Sequence, residues 1–256
     1  MKEFKVFSEK VNSSEKEELI KIIYNFDTLG YMLGKGKRNI IKIVDFNSDE
    51  INIKSFKIPN IINQLVYRFF RKSKAERSFA YAHRLLEDNI STPRPLAYFE
   101  YKTPFLFKTS FYISEHLTYD LTYRELINNK SYPDYDTILR AFTRFTFNLH
   151  EKGINFLDHS PGNTLIIKKP EGYTFYLIDL NRMKFQDMSF EERMNNFAKL
   201  SPKDHMLEIM ADEYSKLFPK KTKIETLKTM SYYSLKFSSG YNKREQFKKK
   251  YYFWRK

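Results

Sequence analysis

The sequence contains no cysteine, which excludes disulfide bonds and cysteine-ligated zinc. It also lacks any apolar run of the roughly 18–20 residues that a membrane-spanning helix needs. Residues 1–19 contain no apolar h-region, so we expect no secretory signal and take the cytoplasm as the default compartment. No internal repeat or Gly/Ser-rich linker divides the 256 residues, a length that suits one large domain or two lobes.

Basic residues are in clear excess, with 45 Lys and Arg against 31 Asp and Glu, for a net charge of +14. Such a surface attracts polyanions, which include nucleic acid, anionic lipid and phosphorylated sugar, and charge alone does not choose among them. Hydrophobic residues make up 41% of the chain, with 24 Phe and 19 Tyr, which excludes disorder as the global state.

Strand signals dominate the first half of the chain and helix signals the second. Apolar alternation predicts a β-hairpin over residues 40–56 and further strands over residues 96–101 and 106–113. Helical spacing occurs over residues 14–24, 61–88, 120–129 and 136–152, and again from Ser201, a predicted N-cap, to the end. This segregation predicts an α+β fold with a small β lobe, which contains one main helix, and a larger helical lobe.

The segment over residues 149–167, LHEKGINFLDHSPGNTLII, carries the most specific pattern, and a strand-like YLID ends at Asp179. Together they resemble the catalytic loop of protein-kinase-like enzymes, LHxxGIxHxDxxxxN, followed by two short strands of which the second ends in Asp. The resemblance implies a two-lobed protein-kinase-like fold. Residues 1–115 would form the nucleotide-covering lobe with an N-terminal helical extension, and residues 116–256 the catalytic lobe.

Phosphoryl transfer requires positioning and neutralisation of the charge on the phosphate oxygens. By this resemblance, Asp158 accepts or orients the proton of the acceptor hydroxyl. Asn163 and Asp179 hold Mg²⁺, a hard cation that takes oxygen ligands and bridges the phosphates of ATP. Pro161-Gly162 would supply the turn that brings Asn163 towards Asp179. An Asp–turn–Asn alone is common, because both residues favour turns, so the prediction depends on the whole combination.

The first half should supply the residues that bind ATP. Ile51-Asn52-Ile53-Lys54 resembles the strand whose Lys binds the α- and β-phosphates, and Lys57 is an alternative three residues further on. A helix must then supply an acid that pairs with this Lys. Glu76 is the only carboxylate within residues 72–86 and is the candidate.

Two further segments would contact the nucleotide. Gly34 and Gly36, before the hairpin, resemble a shortened phosphate-covering loop whose backbone N–H groups face the phosphates. The strand that ends in residues 111–117 lies where the segment between the lobes should be, and its backbone, around Glu115, would bind the adenine edge.

The chain departs from protein kinases at two positions, which are typical of small-molecule and lipid-sugar kinases. Phe156 replaces a His, and Asn181 replaces the Gly of the DFG motif. Several stretches further resemble the lipopolysaccharide inner-core (Kdo) kinase family, namely residues 58–63, 71–78, 91–95, 156–163 and 178–183. The resemblance covers residues 30–190. It implies transfer of the ATP γ-phosphate to a sugar hydroxyl on the Kdo–heptose region of lipid A, at the inner face of the inner membrane.

The basic charge fits a substrate of this kind, since lipid A, Kdo and the membrane surface are all anionic. Residues 242–256 mix cations with aromatics and either lie on a bilayer surface or pack back on the helical lobe. A second basic cluster contacts either substrate phosphates or water; it comprises Arg68, Arg71, Lys72 and Lys74. The resemblance gives His150 a structural role, and His159, next to Asp158, would touch substrate.

Three alternatives remain. A protein kinase is disfavoured because the segment from Asp179 to Ser201 is short and lacks an APE-like Pro-Glu. A nucleic-acid-binding module would explain the charge but not the spacing of Asp158, Asn163 and Asp179, so we expect no nucleic acid as partner. A pseudokinase is disfavoured because every expected catalytic position holds a competent residue type. Kdo and heptose both remain open as acceptors.

Overall fold

The computed structural model describes residues 1–34 and 39–251, without the side chains of residues 244–251. The chain divides into two compact units. The first comprises Met1–Thr118 and the short segment Asp179–Asn181, and the second comprises Tyr119–Ile178 and the chain from Arg182 onward. The boundary expected at residue 115 falls at Thr118, and Asp179, expected in the catalytic lobe, groups with the first unit.

The first unit is built on a six-stranded antiparallel sheet. Its strands are β1 (Lys2–Phe7), β2 (Tyr31–Met32), β3 (Asn39–Phe46), β4 (Asp49–Phe56), β5 (Pro95–Lys102) and β6 (Phe107–Glu115). They lie in the order β1-β5-β6-β4-β3-β2. The predicted hairpin is confirmed as β3 and β4, in which Val44 pairs with Ile51, and the two further predicted strands are β5 and β6. Strand β1 was not predicted; it adds to the edge of the sheet against β5.

Three helices accompany this sheet, namely α1 (Ser13–Tyr24), α2 (Ile61–Phe69) and α3 (Lys74–Glu87). The prediction of one helix over residues 61–88 was wrong. The break has a local cause, because the Ser73 side chain accepts a hydrogen bond from the Glu76 N–H (3.0 Å) and so caps a new helix.

The second unit is mainly helical, which confirms the α+β class. Its helices are α4 (Tyr123–Asn128), α5 (Tyr135–Glu151), α6 (Phe190–Phe197), α7 (Asp204–Leu217) and α8 (Lys223–Tyr251). Ser201 does not cap a helix: it adopts a left-handed conformation (φ +51°) after the 3-10 turn Ala198–Leu200, and α7 begins at Asp204. Among the described residues, no helix combines the length and the apolar character needed to cross a bilayer.

Short antiparallel strand pairs hold the segment over residues 157–163 at both ends. The strands are β7 (Leu121–Thr122), β8 (Ile154–Phe156), β9 (Thr164–Lys169), β10 (Gly172–Leu177) and β11 (Met183–Phe185). β8 pairs with β11, and β9 pairs with β10. Two further backbone bonds extend these pairs, from Leu157 N–H to the Arg182 carbonyl and from Ile178 N–H to the Asn163 carbonyl, both 3.0 Å. The two predicted strands that fix the loop are therefore confirmed.

A buried hydrogen-bond network supports the same segment from the interior. The Asn196 carboxamide oxygen accepts from His159 Nδ1 (2.9 Å) and His150 Nε2 (3.3 Å). Its Nδ2 donates to the Asn155 side chain and to the Phe156 carbonyl, both at 3.0 Å. One side chain of α6 thus connects the end of α5 to β8 and to the turn that follows β8.

Both histidines of this network are neutral. Burial lowers the pKa of His150 to about 3 and that of His159 to about 4. Because neutral His150 donates through Nε2, its Nδ1 accepts from the Tyr214 hydroxyl (3.0 Å). His159 is fully buried between the rings of Phe142 and Phe156, so the expectation that it touches substrate was wrong. His150 has the structural role that was expected of it.

The buried histidines predict a pH-dependent stability. Their pKa values are lower in the folded chain than the ordinary value of 6.5, so the unfolded chain binds more protons as the pH falls below 6.5. The free energy of unfolding should therefore decrease from pH 6.5 to pH 5. The His159→Gln variant should lose about 1.4 kcal/mol per pH unit of this slope. Urea denaturation over this range measures it, with His83→Gln as the control, and an unchanged slope in His159→Gln would contradict the assignment.

Candidate active site

The first cluster of predicted site residues joins β4 to the turn that follows β10. Lys54 lies on the face of β4 opposite Ile53, and its Nζ is 2.5 Å from Asp179 Oδ1. The Asn181 Nδ2 donates to the same oxygen at 2.6 Å. Asp179 adopts a left-handed backbone conformation (φ +58°), which Asp tolerates better than most residues. The structure therefore brings Lys54 and Asp179 together, as the kinase resemblance implies for a nucleotide site.

The geometry distinguishes the two candidate lysines, but it does not contain the expected Lys–Glu pair. Lys57 lies exposed beyond the end of β4, whereas Lys54 is buried, so the geometry favours Lys54 as the phosphate-binding Lys. The expected pair between Lys54 and Glu76 is not formed. Glu76 instead pairs with Lys72 (3.4 Å) in the first turn of α3, and a role for Glu76 in nucleotide binding stays a prediction.

The remaining ATP-binding candidates lie in loops and at a strand end. Gly34 is exposed and has φ +82°, whereas Gly36 lies outside the described residues. The Glu115 carboxylate forms a salt bridge with Arg94 (2.7 Å), and the Glu115 N–H donates to the Arg94 carbonyl (3.0 Å). The next N–H, of His116, donates to the Glu50 carbonyl. These two backbone donors are thus already used, and adenine binding by this segment stays a prediction.

The second cluster is the turn that carries Asp158 and Asn163. The Asp158 carbonyl accepts from Ser160 N–H (2.7 Å) and from Asn163 Nδ2 (2.8 Å), and Asn163 N–H closes the turn on the Ser160 carbonyl (3.0 Å). A Cβ at Gly162 would lie 2.9 Å from the Arg124 guanidinium, so a larger residue here would require the Arg124 side chain to shift. The predicted turn is confirmed. Since the Asn163 nitrogen faces Asp158, its amide oxygen is the atom that remains for a cation.

Two cations lie beside the Asp158 carboxylate, and sequence reasoning missed both. Lys199 Nζ donates to the Leu157 carbonyl (2.5 Å) and lies 3.3 Å from Asp158 Oδ1, and Arg182 Nη1 is 3.9 Å from the same oxygen. With Lys184, these side chains line a cavity of about 390 Å³ in which Glu192 is the one carboxylate among the described lining residues. The candidate base is therefore next to a pocket of net positive charge.

The candidate site contains oxygen donors of the kind that magnesium prefers. Within the described residues, no three His, Asp or Glu side chains gather into a metal-binding cluster. Magnesium commonly binds one or two protein carboxylates and completes its coordination with phosphates and water, so it does not require such a cluster. The Asp179 carboxylate and the Asn163 amide oxygen are hard donors of the right type. The residues present therefore fit a magnesium ion that arrives with a nucleotide.

Comparison with known proteins agrees with this geometry. Residues 57–233, well over half of the chain, match the family model described as the lipopolysaccharide kinase (Kdo/WaaP) family. No functionally curated protein matches the chain. Among solved structures, the chain is similar to one described as WaaP in complex with acyl carrier protein, at 14% identity and a TM-score of 0.63. The match covers 92% of this chain and 98% of that one, and it supports the protein-kinase-like fold.

The family match begins at Lys57, three residues after Lys54, and ends within α8, so it includes the turn with Asp158 and Asn163 as well as Asp179. Membership implies a phosphotransferase that acts on a sugar hydroxyl, in agreement with the residue types found in both clusters. The chain belongs to the lipopolysaccharide kinase (Kdo/WaaP) family.

Proposed function

We propose that this protein transfers the γ-phosphate of ATP, bound with Mg²⁺, to a hydroxyl of the Kdo–heptose region of a lipid A-linked core. The observation that carries this proposal is the Asp158 carboxylate, fixed in a tight turn and flanked by Lys199 and Arg182. A base beside two cations suits an acceptor that is both an alcohol and an anion. Kdo, a carboxylated sugar, and phosphorylated heptose both meet this description.

Lys54 and Asp179 would bind the nucleotide. Their salt bridge places a cation and an anion side by side, and MgATP would offer each a new partner of opposite charge. The Lys54 ammonium would bind phosphate oxygens, while the Asp179 carboxylate and the Asn163 amide oxygen would hold the metal. When bound, Mg²⁺ neutralises charge on the phosphates. These roles are the ones implied by the family resemblance.

Asp158 would then take the proton of the acceptor hydroxyl while the hydroxyl oxygen forms a bond to the γ-phosphorus. The bond between that phosphorus and the bridging oxygen breaks, and ADP leaves with the electron pair. The backbone bonds around Asp158 orient its carboxylate before the acceptor arrives, which removes the entropic cost of finding that orientation. Because this acceptor is anchored in a membrane and ATP is cytoplasmic, we place the protein at the inner face of the inner membrane.

The role of Asp158 predicts a loss of transfer without a loss of nucleotide binding. The Asp158→Asn variant keeps the shape of the side chain but cannot accept the proton, so turnover should fall by about a hundredfold or more. Mass spectrometry of Kdo–lipid A incubated with ATP measures the added phosphate, and a fluorescent ATP analogue measures binding. Asp187→Asn, an exposed change in the second unit, is the matched control. Near-normal turnover in Asp158→Asn would refute the assignment of the base.

The position of Lys199 predicts that it recognises the charge of the acceptor. Lys199→Met keeps the length of the side chain but removes its charge, so kcat/KM for an anionic acceptor should fall about tenfold to a hundredfold. For a neutral sugar analogue that accepts phosphate, the loss should be much smaller. Lys203→Met, an exposed lysine four residues away, is the control. An equal loss with both acceptors would show that Lys199 only supports the loop.

A further inference from the structure

Helix α2 carries its apolar side outward. Ile61, Leu65 and Phe69 follow one another at a spacing of four, and Ile62 lies beside them, so they share about 100° of the helix surface. All four are exposed, with 56%, 42%, 53% and 69% of their surface accessible, respectively. The buried residue of α2 is instead polar, namely Gln64. A helix that packs on a core buries its apolar side, whereas α2 exposes it.

The turn between β5 and β6 extends this apolar surface. Arg68 Nε donates to the Thr103 carbonyl (3.1 Å), and the ring of Tyr67 lies 5.7 Å from that of Phe107, so the turn is fixed against α2. Thr103 and Leu106 close the turn with three hydrogen bonds, and Phe105 at its tip is 72% exposed. Phe70, at the end of α2, is 85% exposed. The term α2 face denotes the six residues Ile61, Ile62, Leu65, Phe69, Phe70 and Phe105.

Basic residues predominate around the α2 face, although Lys72 pairs with Glu76 (3.4 Å) and Lys102 with Glu100 (2.5 Å). Residues 57–75 contain five Lys and Arg and no Asp or Glu, and residues 101–110, which include the β5–β6 turn, contain two Lys and no acid. Arg71 and Lys72 are exposed directly after the last apolar residues of the helix. An apolar stripe with basic residues at its border is the pattern of helices that lie in the interface of an anionic membrane.

We propose that the α2 face docks this protein onto an anionic phospholipid bilayer. The apolar residues protrude from both a helix and the neighbouring turn and form one convex surface, whereas helix-in-groove recognition by a protein uses the face of a single helix. They are Ile, Leu and Phe, which enter the acyl region, without the Trp and Tyr that dominate protein interfaces. The basic border meets the anionic headgroups. This inference stands on the exposed surface alone and does not depend on which acceptor is phosphorylated.

Vesicle sedimentation of the full-length protein tests the proposal. Sucrose-loaded vesicles of phosphatidylcholine are compared with and without phosphatidylglycerol. The Leu65→Asp and Phe69→Asp variants, both at exposed positions, should each weaken binding to the anionic vesicles at least about tenfold. Arg71→Gln should weaken it about fivefold, and less at high salt. Ile224→Asp, a similar change at a position that is 79% exposed at the start of α8, should have little effect.

Three results would overturn the proposal. The first is wild-type affinity of the Leu65 and Phe69 variants for anionic vesicles, and the second is equal binding of the wild type to neutral vesicles. The third is a wild-type dimer in light scattering that Phe69→Asp dissociates, since a second copy would then cover the α2 face. Transfer to a detergent-dispersed acceptor should be the same in the wild type and Phe69→Asp. Absence of transfer in both would count against the proposed function and leave the vesicle result intact.

Discussion

The partly buried ion pair between Lys54 and Asp179 is the interaction on which the functional account depends. Lys54 is largely buried, and Asp179 is held in a left-handed turn by both Lys54 and Asn181. Removing either charge would leave its partner unpaired, which is costly in a partly buried site. The pair therefore holds both charged groups in fixed positions. In a magnesium–nucleotide complex, the phosphates would supply negative charge for Lys54, and the metal would supply positive charge for Asp179.

The turn with Asp158 is organised by a different kind of interaction. Behind it, two neutral histidines and Asn196 form hydrogen bonds without charge, so the support is insensitive to pH near neutrality. In front of it, Lys199 and Arg182 provide all the positive charge close to the carboxylate among the described residues. The structural and the electrostatic tasks are thus divided between separate side chains. A phosphotransferase for anionic sugars needs both, because the base must be fixed and the acceptor attracted.

Parts of the candidate site could be predicted from sequence because each part lies in a local motif. Asp158 and Asn163 lie in one turn, and Lys54 sits on a strand with a recognisable pattern. Lys199 could not be found in this way, since it reaches Asp158 from 41 residues away without any periodic signal. The Lys54–Glu76 pair was expected from the family, but Glu76 pairs with Lys72, which lies just before its own helix. Periodicity also predicted a helix around residues 61–69, yet a period does not reveal whether the apolar side faces a core or the surroundings.

Isothermal titration of a non-hydrolysable ATP analogue, with and without Mg²⁺, tests the central claim most directly. The account predicts that the wild type binds more tightly with Mg²⁺ and that Asp179→Asn loses this dependence on Mg²⁺. Lys54→Met should weaken binding in both conditions, while Lys57→Met, the same change on the exposed neighbouring lysine, should bind like the wild type. Mg²⁺-dependent binding that persists in Asp179→Asn, or a loss in Lys57→Met that equals the loss in Lys54→Met, would contradict the account.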